Sequence, residues 1–271
     1  MQDFFSIDLS SISAGLSHQT SNLKVLIMYS HMNNLKLIKP IFTLTGMHNN
    51  NNKICSDLSE YYDLNKISLY NKPYMLYDRK YLTGFTIEKK QYEDGLLSSD
   101  KVFSNILALK MPTLGDMNHE DGIDMPNSLN NINYGIKISY NCDIIEIARL
   151  VTSLIGNDFM CIHVRRGDKV RTHQIDIDTR PDNILKKIEE QDIKNIYIMT
   201  NKIDEIVGLK ENKDFNIFFY DDFDVLRNIK DNYFLFCVEN VIMRNARIRC
   251  STFKVSSDYY NCNLTDTIGG Q

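Results

Sequence analysis

The segment FMCIHV at residues 159–164 constrains the fold of this chain more than any other. It is a continuous apolar run of six residues, too short for a core helix and without polar alternation. A run of that kind needs apolar cover on both faces, which is the mark of a central strand in a parallel sheet. Its flanks agree. Residues 143–155 place Ile144, Ile145, Ile147, Ala148, Val151, Leu154 and Ile155 at helical spacing, and Gly156 supplies a stop. Beyond 164, Pro181 opens a helical stretch to about Gln191. NIYIMT (195–200) is a second buried run, Ile203–Leu209 a short helix, and FNIFFY (215–220) a third strand. Tyr233–Asn245 reads as a helix and Arg247–Cys250 as a last strand. Strand and helix alternating at this interval predict a parallel sheet with right-handed crossovers.

The first half repeats this logic more faintly. A loop at 13–20 is expected to lead into a helix with Leu23, Leu26 and Ile27 inside, followed by a strand over 35–42. From about 46 to 135 the chain is Asn-rich and irregular, with turn signals at Gly84, Gly95, Gly115 and Gly122, and is expected to supply insertions and short elements. The fold class predicted is α/β, with two Rossmann-like domains at 1–138 and 139–271.

Composition narrows the class of function. With 43% hydrophobic and 24% charged residues in 271, the chain can pack a globular core. A formal net charge of -4 argues against broad capture of nucleic acid. No apolar stretch approaches the ~20 residues that span a bilayer, and the N-terminus has neither a basic region nor an apolar run of signal-peptide type. Cys55, Cys142, Cys161, Cys237, Cys250 and Cys262 contain no close pair, which points to reduced thiols and not to a zinc site. The sequon at Asn263 has no secretory context. A cytoplasmic protein without a membrane span is the expectation.

Chemistry is expected at the carboxyl ends of the parallel strands. There the sequence places Arg165-Arg166-Gly167-Asp168-Lys169 after the first buried run, Thr200-Asn201-Lys202 after the second, and Ser251-Thr252-Phe253 after the last. Guanidinium forks match phosphate oxygens, and hydroxyls with backbone N–H groups complete an anion site. A diphosphate fits such a set. An Arg-Gly-Asp adhesion tripeptide would need a hairpin tip, which a sheet edge does not provide.

The run His163-Val164-Arg165-Arg166-Gly167-Asp168 resembles the HxRRxD signature of the alpha-1,2-, alpha-1,6- and protein O-fucosyltransferase superfamily. Three further segments resemble that superfamily in the same order along the chain. Ala14-Gly15-Leu16-Ser17-His18-Gln19 stands where a glycine-rich loop precedes the first helix. Cys250-Ser251-Thr252-Phe253 resembles an STFS motif, and Glu239 falls where an acidic residue sits on the preceding helix. Departures are His18 for Asn, Ser17 for Gly, Lys254 for Ser, and the absence of an acidic pair at Thr200-Asn201-Lys202.

The resemblance implies a GT-B type enzyme with a donor cleft between its domains. It would be an inverting, metal-independent glycosyltransferase moving a sugar, with L-fucose from GDP-fucose as the first expectation, to a glycan acceptor. It implies catalytic roles for Arg165 and Asp168. Donor contacts would come from Gly15, His163, Arg166, Lys169, Glu239, Ser251, Thr252 and Phe253, and an acceptor-side contact from His18. No cofactor is expected beyond the nucleotide-sugar donor. Three alternatives stand beside it. One is the same chemistry with another UDP- or GDP-linked donor. A second is a metal-dependent site built on Asp176/Asp178 or on Asp221, Asp222 and Asp224. The third is a non-catalytic nucleotide-sugar or carbohydrate-binding protein.

Overall fold

The computed structural model describes residues 4–5, 8–32, 34–49, 52, 54–78, 80, 135–166, 176–177 and 179–251. The chain divides into two compact units, Met1–Asn141 and Cys142–Gln271.

The first unit begins with β1 (Phe4–Phe5), β2 (Asp8–Ala14), α1 (Leu16–Met32), β3 (Lys36–Leu37) and β4 (Ile41–Leu44). β2 and β4 pair in parallel, with a register irregularity between Leu9 and Ser13, and β1 pairs in parallel with β3. β2–α1–β4 is therefore a strand–helix–strand crossover. Two expectations fail here. Residues 13–20 are not a loop: β2 runs to Ala14, α1 starts at Leu16, and Gly15 alone separates them. The polar letters Ser17, Gln19 and Thr20 disguised the first turn, yet Gln19 is buried and its side-chain amide donates to the Thr43 carbonyl at 2.9 Å, tying α1 to β4. Residues 35–42 are not one strand either. β3 ends at Leu37 and β4 starts at Ile41 beyond Pro40, which has no N–H to offer a ladder.

The stretch expected to be irregular holds more order than its composition suggests. β5 (Ile54–Ser56) joins β4 antiparallel. β6 (Tyr62–Leu69), β7 (Lys72–Tyr74) and β8 (Ile136–Tyr140) form an antiparallel sheet in the order β7-β6-β8. Tyr62 and Tyr140, cross-strand partners, stack at 5.3 Å.

The second unit follows the pattern predicted for it. Its elements are α2 (Cys142–Ile155), β9 (Phe159–Val164), α3 (Pro181–Glu189), β10 (Asn195–Thr200), α4 (Ile203–Ile206), β11 (Asn216–Phe218), α5 (Asp224–Arg227), α6 (Asn232–Asn245) and β12 (Ile248–Ser251). The sheet is parallel throughout, in the order β11-β10-β9-β12. Gly156, at φ +100°, ends α2 in a backbone region that side-chain-bearing residues disfavour.

Alternate residues of the strands face opposite layers. Met160, Ile162, Val164, Ile196 and Ile198 pack with Ile184 and Ile188 of α3 and Ile206 of α4. On the other face α2 and α6 pack on one another, and α6 packs on β9. β9 and β10 are thus covered on both sides, as their uninterrupted apolar sequences require.

Candidate functional site

His163, Arg165, Arg166, Thr200 and Ser251 gather at the carboxyl ends of β9, β10 and β12. His163 is the next-to-last residue of β9, in register with Met199 of β10 and Ser251 of β12. Arg165 and Arg166 follow directly as the strand ends. Because side chains alternate along a strand, His163 lies on the α2/α6 face, and its ring sits 6.5 Å from that of Phe236 on α6. Burial lowers its pKa to about 4, and the charge of Arg165 adds to the effect. His163 is therefore a neutral imidazole at physiological pH, next to a fixed positive charge.

Arg165 is half-buried at the strand end. Arg166 is only 8% exposed and makes a dense set of contacts. Its Nε donates to Glu205 on α4 and its Nη2 to Asp176 Oδ1 at 2.9 Å. Its Nη1 donates to the Oγ1 and the carbonyl oxygen of Thr179, at 2.7 and 2.9 Å. Asp176 also accepts from Arg180. That hydrogen bond, then the one from Arg166, holds the Asp176 carboxyl below the usual carboxylate range. Asp176, Thr179 and Glu205 were not singled out as partners of an arginine. They lie between 10 and 39 residues beyond Arg166 in sequence, a separation that no local pattern spans.

Glu239 sits on α6 with its side chain turned to the interior, 7% exposed. It is no helix-surface carboxylate. The Tyr197 hydroxyl on β10 donates to its Oε1 at 2.9 Å. Burial raises the Glu239 pKa to about 8, although the Tyr197 hydrogen bond works the other way. Burial likewise pushes the Tyr197 hydroxyl and the neighbouring Cys161 thiol well up, with Glu239 reinforcing both. A protonated carboxylic acid, a phenol and a thiol thus share one pocket of low polarity between sheet and helix.

The remaining site residues are placed by the backbone alone or not at all. Gly15 is the hinge between β2 and α1 in the first unit, and His18 lies in the first turn of α1 with its side chain outside what is described. Ser251 closes β12, its side chain likewise outside. Gly167, Asp168, Lys169, Thr252 and Phe253 lie outside the described residues.

Most of the described carboxylates that offered a metal-dependent alternative have other partners, whereas Asp221 Oδ1 is buried without a hydrogen-bond partner. Asp222 pairs with Lys210 and accepts from the Phe219 N–H, Asp224 pairs with Arg227, and Asp176 is held by its two arginines. Asp178 lies outside the described residues. Among the described residues no three His, Cys, Asp or Glu side chains converge as a metal site, and no helix is long and apolar enough to cross a membrane.

No family model and no curated protein matches the sequence. Solved structures do. POFUT1 in complex with GDP superposes over 93% of this chain and 92% of its own, with a TM-score of 0.55 at 11% identity. POFUT1 in complex with GDP-fucose does so over 91% and 90%, with a TM-score of 0.53 at 12% identity. The likeness covers nearly the whole of both chains, and at this identity it is a likeness of fold. The chain has a mixed α/β, fucosyltransferase-like fold of GT-B type.

Proposed function

We propose that this chain is a glycosyltransferase that takes GDP-fucose as donor and passes the sugar to a glycan acceptor, inverting the anomeric centre without a metal ion. The observation that carries the reading is the placement of Arg165. It stands at the carboxyl end of the central strand of a parallel sheet, in a fold shared with a protein crystallised with GDP-fucose. In open α/β sheets ligands bind at that edge.

The chemistry follows from the charges involved. The acceptor oxygen attacks the anomeric carbon on the face opposite the diphosphate and loses its proton. The bond from that carbon to the β-phosphate oxygen breaks, and its electron pair leaves with GDP. Negative charge grows on the β-phosphate as this happens. A guanidinium already fixed beside it stabilises that charge without reorganisation, the task a metal ion performs in other transferases. Arg165 fills this role. The neutral imidazole of His163 next to it adds no competing cation. Asp168, in the loop that follows, shares the catalytic role, while Lys169 in that loop, Ser251 at the end of the last strand, and Thr252 and Phe253 beyond it complete the donor contacts. The second unit is the nucleotide-sugar domain and the first, with Gly15 and His18, the acceptor-side domain. Buried free thiols at Cys161, Cys237 and Cys250 fit a reducing compartment such as the cytoplasm.

Calorimetric titration of the purified chain with GDP, UDP and their sugars, with and without EDTA, tests the reading. It predicts saturable binding of GDP and GDP-fucose that EDTA leaves unchanged, with UDP at least tenfold weaker. A preference for UDP would assign another donor. Binding abolished by EDTA would overturn the metal-free mechanism.

A further inference from the structure

The two arginines of the pair are not equivalent. A guanidinium offers five N–H groups. In Arg166 the single Nε–H goes to Glu205, the two Nη1 hydrogens are taken up by Thr179 and, at longer range, the Asp176 carbonyl, and one Nη2 hydrogen goes to the Asp176 carboxylate. A bidentate grip on phosphate needs two parallel N–H groups on one edge of the fork, and at most one hydrogen is left. The carboxylates of Asp176 and Glu205 also lie against the guanidinium, at 2.9 and 2.5 Å, so the cluster presents little net positive charge to a diphosphate.

We infer that Arg166 is a positioning residue and not a donor ligand: it pins the end of β9 to Asp176 and Thr179 ahead of α3 and to Glu205 on α4, and so fixes the direction of Arg165. The pieces it ties together belong to different stretches of chain. Arg166 follows β9, Thr179 lies two residues before Pro181 opens α3, and α4 follows β10, whose Thr200 is in register with Val164. One buried guanidinium thus closes the β9–α3 connection at both ends and fastens it to the next strand's exit. Lysine cannot substitute, because a single ammonium cannot reach acceptors on three residues set around a plane. The inference rests on Arg165 being the phosphate contact proposed above.

The test is steady-state turnover of GDP-fucose by the full chain, together with calorimetric GDP affinity, for wild type, Glu205→Gln and Arg166→Lys. Glu205 is partly exposed, so its isosteric amide leaves the fold intact. A positioning role predicts that Glu205→Gln, which removes a charge no ligand touches, lowers kcat roughly 10- to 100-fold, as misplacement of a catalytic group does. KM stays within about twofold, and Arg166→Lys behaves like Glu205→Gln. A ligand role predicts the reverse. Freed of its carboxylate, Arg166 would bind GDP more tightly in Glu205→Gln with kcat kept, and Arg166→Lys would hold most of the affinity. That result overturns the inference. Wild type that binds no GDP contradicts the proposed function instead. Amide hydrogen exchange at 176–180 and 203–206 then decides the matter: faster exchange in Glu205→Gln supports the tether, and unchanged exchange removes it.

Discussion

The hydroxyl of Tyr197 donates to the carboxyl of Glu239 at 2.9 Å in the interior of the second unit, and burial lifts the Glu239 pKa to about 8. The sign of the consequence is fixed. In the unfolded chain the carboxyl has an ordinary pKa near 4.5, while the folded chain keeps the proton up to about 8. Its contribution to stability is fully present below pH 4.5 and is lost as pH rises through 8. Over that window the loss from this group is on the order of a few kcal/mol. Urea midpoints at pH 5 and pH 8.5 should fall for wild type by clearly more than for Glu239→Gln, whose amide carries no charge. Equal falls would show that the carboxyl is already ionised in the fold.

Ile198 lies mid-strand in β10, 1% exposed, within the cluster that joins the sheet to α3 and α4. Truncation to alanine removes apolar contacts and leaves a cavity that close packing cannot refill. Ile198→Ala should cost about 2–5 kcal/mol, read as a lower urea midpoint at unchanged slope.

Gln19 illustrates a polar side chain used as a strut. It is fully buried and gives its amide to the Thr43 carbonyl. Gln19→Leu keeps the volume but leaves that acceptor without this donor. A loss of about 1–3 kcal/mol is expected. Thermal denaturation of the two proteins side by side measures it.

Cysteine accessibility gives a test of packing that needs no ligand. Cys142 is exposed, whereas Cys161, Cys237 and Cys250 are buried, with the thiols of Cys161 and Cys237 pushed well up by burial. Reaction requires an accessible thiolate. Timed alkylation followed by peptide mass spectrometry should label Cys142 well before Cys161, Cys237 and Cys250, which react only in denaturant. Early labelling of Cys161 would contradict the sheet and its α6 cover.

What the sequence made legible depended on whether the information was local. FMCIHV and NIYIMT state their burial in most of their letters, and the second unit followed from them almost element by element. β6 shows the opposite case. Its sequence, YDLNKISL, loses strict alternation at a register irregularity between Asp63 and Ile67, and its partner β8 starts at Ile136. No window of ordinary length contains both strands. The same holds within the site. The placement of Arg165 and Arg166 at a sheet edge was readable from the strand before them. The commitment of Arg166 to Asp176, Thr179 and Glu205 was not, since those partners meet only once β9 and β10 pair. Glu239 gave a signal that could have been used: it lies between Val238 and Ile242 on the apolar side of α6, where a carboxylate has to be neutral or paired.

The central claim is that Arg165 holds the donor phosphate as the glycosidic bond breaks. It is tested most directly by turnover of GDP-fucose, in hydrolysis or transfer, by wild type and Arg165→Ala, both checked for folding by circular dichroism. The account predicts that Arg165→Ala loses roughly 100- to 1,000-fold in kcat, the usual effect of removing one preorganised stabiliser of transition-state charge, with its melting curve unchanged. A folded Arg165→Ala protein that turns over GDP-fucose at the wild-type rate would contradict it.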